Sequence, residues 1–277
     1  MRLKVISYAL DGKVALIGLN RPDKRNALNE ALVLELAEAV RRAGEEAEAG
    51  VIFGHGKCFS AGLDLAELAE RIAPDAPFPR KRRPRHLWHE TFDLIARGSV
   101  PFVAALHGAT VGGGLELATA AHIRVVDETT FFGLPEGQRG IFVGGGGSVR
   151  IQRIIGYETM ADMMLTGRTL DAQEGRQAKL AQYVVPPGEA LAMAITLARR
   201  IAENTANTNW MITNVLPRMN DLSHDDGLFM EYLNTSMRRS PEAIGRLRAF
   251  LDKRAEPLKP PSATTPDSPR RPATPRR

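Results

Sequence analysis

An α/β layered fold is what this sequence predicts, and three observations predict it. Short β-rich runs alternate with longer amphipathic ones, and small-residue turns sit where the two kinds meet. At 277 residues, 43% hydrophobic and 25% charged, the chain can also bury a sizeable core, as one large domain or two small ones.

Leu3 to Ala9 and Lys13 to Leu19 read as strands, joined by Asp11-Gly12, a strong hairpin signal. From Asn29 to Ala43 the period becomes helical, with Leu32, Leu36, Ala39 and Val40 on one face and charged residues opposite. Val51-Ile52-Phe53, Val103 to Leu106 and Ile123 to Val126 are further short strands. Asp64 to Arg71, Leu115 to Ala121, the stretch through Ile151, Ile154 and Ile155, Ala190 to Ala202 and Pro241 to Arg254 read as helices. Beyond Pro257 the chain is rich in proline, serine and threonine and has little to bury, which predicts a disordered tail.

Two turns hold the chemistry. In Gly112-Gly113-Gly114-Leu115-Glu116 the glycines let a reacting group come close to the backbone. A helix starting at Gly113 would leave its first amides unpaired and aimed at that group. Phe59-Ser60-Ala61-Gly62-Leu63-Asp64 is a second small-residue turn ahead of a helical run. Together the two turns would supply two N–H groups to one oxygen, the arrangement that stabilises an acyl oxyanion. Glu116 and, in Gly133-Leu134-Pro135-Glu136, a second carboxylate add acid–base capacity.

These segments, with Leu19-Asn20-Arg21-Pro22, Asn26-Ala27-Leu28, Leu165-Thr166-Gly167-Arg168 and Ala172-Gln173-Glu174, resemble the crotonase (enoyl-CoA hydratase/isomerase) superfamily from about residue 3 to about residue 256. The likeness implies a spiral of repeated ββα units with a C-terminal helical region. It divides the chain into a core at 1–195, a helical trimerisation region at 196–256 and a basic tail at 257–277. It further implies enoyl-CoA hydratase activity, in which water adds across the 2,3 double bond of an enoyl-CoA thioester. Leu63 and Gly113 would be the oxyanion donors, and Glu116 and Glu136 the catalytic carboxylates, Glu116 activating water and Glu136 moving the α-carbon proton. Two carboxyl groups in one apolar pocket oppose each other's ionisation, so one would hold its proton more readily than a free glutamate. CoA would lie against Arg25, Ala27, Ala61, Asp64 and Leu65, with Lys253 reaching a phosphate or simply ending an exposed helix. Asp64 also reads as the cap of the following helix. No cofactor is implied, since coenzyme A belongs to the substrate, and the assembly would be a homotrimer or a hexamer. His122, Val143, Lys179 and the glycines from Gly144 to Gly147 depart from the family's usual pattern.

Composition narrows the alternatives. The net charge of +5 invites a nucleic-acid reading, but Lys259, Arg270, Arg271, Arg276 and Arg277 against Asp267 place +4 in the tail and leave +1 for the body. An RNA-binding homologue is thus the weaker reading, and an enoyl-CoA isomerase or another acyl-CoA reaction is the nearer one. The second basic run, Arg80-Lys81-Arg82-Arg83-Pro84-Arg85, falls in a proline-bearing loop where it would help hold CoA. One cysteine, Cys58, forms no internal disulfide and reads as a small buried side chain; with no apolar run long enough for a bilayer and no signal-peptide pattern, the expected location is cytoplasmic. His86 and His89 flank Trp88 without a third ligand, so no metal is expected. The Gly144 to Ser148 run lacks the lysine of a phosphate loop and the closing glycine of a nucleophile elbow.

Overall fold

Asp11 pairs with Val14 across Gly12 (φ +60°), closing the hairpin of β1 (Ile6–Asp11) and β2 (Val14–Leu19). β1 starts at Ile6, later than the sequence suggests, where Glu35 accepts from the backbone N–H groups of Lys4, Val5 and Ile6. This computed structural model describes residues 3–71, 73, 86–236, 241–252 and 254. The basic run at 80–85, Lys253 and the tail at 257–277 lie outside the described residues.

After the hairpin comes α1 (Glu30–Glu46), capped by Asn29, whose Oδ1 accepts from Leu32 N at 3.0 Å. Then follow β3 (Ala49–Gly54), α2 (Leu65–Arg71), α3 (Leu87–Ala96), β4 (Phe102–Leu106), β5 (Ala109–Val111), α4 (Gly113–Ala118), β6 (Ile123–Asp127) and β7 (Phe131–Gly133). Next are α5 (Gly147–Ile155), α6 (Tyr157–Thr166), β8 (Thr169–Asp171), α7 (Ala172–Gln177), β9 (Tyr183–Val185) and α8 (Ala190–Ala202). α9 (Ala206–Trp210), a turn of π-helix at Met211–Val215 and α10 (Leu216–Met219) complete the first of two compact units, Met1–Asn220. The second unit, Asp221–Arg277, contains α11 (His224–Ser236) and α12 (Pro241–Leu251). No helix among the described residues is long and apolar enough to cross a membrane.

Six strands form the main sheet in the order β1-β2-β3-β4-β6-β9, parallel from β2 onward. Alternation along the strands sorts the core into two layers. Val51, Val103, Ala105 and Val125 meet Ala194, Leu197 and Ala198 of α8 on one face. Ile52, Ala104, Leu106 and Val126 share the other face with Leu32 and Leu36 of α1, Phe92 of α3 and Leu115 of α4. Each large apolar side chain so buried contributes roughly 1.5–3 kcal/mol before chain entropy is counted.

A second sheet, β5-β7-β8, stands apart from the first. It changes how the glycine turn is approached. The sequence suggests a direct step from the strand ending at Leu106 into the helix, whereas β5 lies between them and pairs in parallel with β7. α4 is also shorter than its apolar run, ending at Ala118, since His122 N already donates to Phe102 O in the sheet layer.

Candidate active site

The first turn is clamped from below by Asn26. This residue is fully buried with φ +53°; its Oδ1 accepts from Arg21 N, and its Nδ2 donates to His55 O and Cys58 O. Ser60 donates its hydroxyl to Asn26 O and accepts from Gly62 N, fixing the turn's exit. The chain then runs beside Leu28: Leu28 N donates to Gly62 O and Asp64 N donates to Leu28 O. That parallel bridge engages the residues on either side of Leu63 and turns the Leu63 N–H the other way.

The second turn lies alongside the first. Phe59 N donates to His107 O, Ser60 N to Ala109 O, and Val111 N to Ser60 O. Gly112 (φ +52°) then caps α4, leaving Gly113 N as its first free donor. The two turns nearly touch: a β-carbon on Gly62 would come within 2.6 Å of Val111 O and 3.3 Å of Gly113 N, and one on Gly113 within 3.5 Å of Leu63 N. Neither the Leu63 nor the Gly113 N–H has an acceptor among the described residues. The sequence-derived donor pair therefore sits side by side. Trp88 of α3 covers it, its Cζ3 lying 2.9 Å from where a Gly113 β-carbon would be.

Glu116 and Glu136 meet at this helix start in unlike surroundings. Glu116, 3% exposed, turns Oε1 between two backbone donors, Gly145 N at 2.7 Å and Gly147 N at 2.8 Å. Glu136, 5% exposed, has Oε1 so close to Gly112 that a β-carbon there would approach it to 2.8 Å, and Oε2 has no partner among the described residues. Burial pushes the Glu136 carboxyl up to about 7; the negative charge of Glu116 adds to this, while its own backbone amide and Arg139 oppose it. One carboxyl thus holds its proton near neutrality beside another locked as an acceptor.

The remaining candidates form a strip leading from the first turn. Ala61 N donates to Arg25 O, and the Arg25 side chain is exposed. Arg21 joins the strip together, donating to Ala27 O at 2.5 Å and pairing with Asp64 Oδ2 at 3.0 Å. Burial alone would raise the Asp64 carboxyl, but Arg21 and the amides of Glu67 and Ala66 outweigh it and hold it below the usual carboxylate range. The Asp64 carboxylate is thereby committed within the fold, and Leu65, which opens α2, is 40% exposed. Cys58 is buried, and burial, opposed by the charge of Arg25, raises its thiol. No group of His, Cys, Asp and Glu able to hold a metal occurs among the described residues.

Several parts of this site escaped the sequence. In the sequence Trp88 is only the residue between two histidines. Asn26 stood inside a motif with no stated task, although a polar residue next to a turn is a reasonable signal for a backbone clamp. The run from Gly144 to Gly147 is unusual in composition, and nothing local says that two of its amides face Glu116.

Known proteins resemble this chain in sequence and in fold. Residues 10–258 match the enoyl-CoA hydratase/isomerase family. A protein of Mycobacterium bovis named as a probable enoyl-CoA hydratase is 32% identical over 92% of this chain and 98% of its own. The 2,3-dehydroadipyl-CoA hydratase of Escherichia coli is 33% identical over 89% and 95%. Among solved structures, one from Rhodopseudomonas palustris is 44% identical, with TM-score 0.80 over 90% of this chain and 95% of that one. An enoyl-CoA hydratase from Bacillus anthracis is 29% identical, with TM-score 0.80 over 91% and 97%. These likenesses bear out the fold and the family that the motifs imply: the chain belongs to the enoyl-CoA hydratase/isomerase family, with the crotonase fold.

Proposed function

We propose that this protein is an enoyl-CoA hydratase acting on 2-enoyl-CoA thioesters, with Glu116 and Glu136 as its acid–base pair. The observation that carries the reading is the unlike pair of carboxyls beside two unpaired amides. The thioester oxygen would accept from Leu63 N and Gly113 N, where the charge of an enolate develops as water adds. Glu116, its Oε1 fixed by Gly145 and Gly147, would take a proton from the water whose oxygen bonds to the β-carbon. The π electrons move towards the thioester oxygen, and Glu136, raised to about 7, would return a proton to the α-carbon. Each turnover leaves the proton on the other carboxyl, and the pair resets by exchange with solvent.

CoA would follow the strip of Arg25, Ala27, Ala61, Asp64 and Leu65, where the exposed Arg25 supplies a planar donor fork for phosphate. Coenzyme A enters as part of the substrate, and the residues named need no further group for the steps above. A homotrimer or hexamer belongs to the same reading; Leu228, Phe229, Tyr232 and Leu233 on α11 are apolar and exposed, as a buried contact would require. The lone cysteine fits a reducing, cytoplasmic setting.

The test is to incubate the protein with crotonyl-CoA and identify products by mass. A gain of one water, giving 3-hydroxyacyl-CoA, supports hydration. Double-bond migration without water would give the isomerase instead.

A further inference from the structure

Arg150, the fourth residue of α5, is a cation in a costly place: its side chain is 18% exposed and its Nε has no acceptor among the described residues. Its other nitrogens are aimed. Nη2 donates to Gly145 O, and Nη1 meets Asp93 Oδ1 of α3 at 3.3 Å. The guanidinium carbon lies 6.0 Å from the centre of the Phe92 ring. Gly146 (φ +90°) makes room for it, since a β-carbon there would stand 2.7 Å from Nη2.

Gly145 is thus engaged on both sides, its N–H by Glu116 and its C=O by Arg150. Four consecutive glycines are the sequence least inclined to hold one backbone conformation, because glycine loses the most freedom on ordering. Two amides aimed at one carboxylate oxygen therefore need an outside clamp, and the Arg150 side chain holds the turn at Gly145 O. Burial lowers the Arg150 guanidinium, while the negative charges of Asp93 and Glu116 act the other way, which places its charge within reach of Glu116.

We propose that Arg150 is a positioning residue that clamps the Gly145–Gly147 turn so that both amides stay on Glu116, and that Asp93 orients Arg150. This rests on Glu116 acting in hydration as read above. The test uses the full chain and the variants R150M, R150K and D93N, with amide hydrogen exchange and crotonyl-CoA kinetics. In R150M the Gly145 and Gly147 amides should exchange roughly tenfold faster, while Ile151 and Ile155 of the same helix stay as protected as before. Hydration kcat should fall roughly 10- to 100-fold with KM within about twofold, R150K should recover part of the loss, and D93N should show a smaller change of the same kind. In an E116Q background R150M should cost almost nothing more, because the residue it positions is already disabled. Unchanged exchange at Gly145 and Gly147, or a full multiplicative loss on top of E116Q, overturns the proposal. Should R150M fail to fold, R150K and D93N read the same two signals. A parental protein that does not hydrate crotonyl-CoA defeats the hydratase reading, and the exchange measurement still decides the clamp.

Discussion

Glu116 and Glu136 are the same residue in the same small volume, and the fold treats them as opposites. Glu116 is gripped by two amides that arrive from 29 and 31 residues further along the chain. Glu136 is buried against Gly112, with one oxygen unpartnered among the described residues and its carboxyl raised to about 7. The lesson is that surroundings, burial around one carboxyl and two backbone donors on the other, more than the side chain itself, set the two glutamates apart.

The sharpest way to test that division is to remove the proposed base. E116Q keeps the shape and one acceptor oxygen but cannot take a proton, so hydration should fall roughly 10²- to 10⁴-fold. Activity near the parental rate, measured as loss of crotonyl-CoA, would show that the gripped carboxyl is structural. Next in size is the donor pair: G113P removes one N–H and should lower kcat roughly 10²- to 10³-fold. G113A is its control, since it keeps the N–H but meets Trp88 at 2.9 Å; if it loses as much as G113P, crowding explains the effect and donation does not.

The other half of the division is tested by pH. With Glu136 as proton donor, kcat/KM should decline as pH rises through about 7, and E136Q should lack that limb. Stability should carry the same signature. Between the ordinary value of 4.5 and about 7 the native carboxyl holds a proton that the unfolded chain has lost, so stability is full below 4.5 and falls as pH rises through that window. Melting temperatures should trace this decline in the parent and flatten in E136Q. The smallest effect belongs to R25Q, which leaves both carboxyls untouched: KM for the CoA ester should rise about two- to fivefold at constant kcat, as for one exposed ion contact.

Much of the fold was legible because its causes are local. Asp11-Gly12 fits a two-residue hairpin, Asn29 caps α1, and the face of Leu32, Leu36, Ala39 and Val40 is buried as its period requires. The second sheet was not legible: β5 and β7 have three residues each, too few to show alternation. In the site, the glycine turns and two glutamates could be read by resemblance. The Lys179 departure gains a physical meaning in the structure, where it sits at φ +67°, a conformation that suits the glycine customary there.

The sequence by itself determined the first hairpin, α1 and the longer strands of the main sheet, that small-residue turns precede helix starts, and that two carboxylates accompany them. Those properties follow from period, capping and the missing β-carbon, each acting within a few residues. Tertiary structure decided that Leu63 N and Gly113 N lie side by side, that Gly145 and Gly147 face Glu116, and that Glu136 is left in a dry corner. Such directions depend on how distant segments pack, because a donor's aim is set by the orientation of the whole element that bears it, and no local pattern records that orientation.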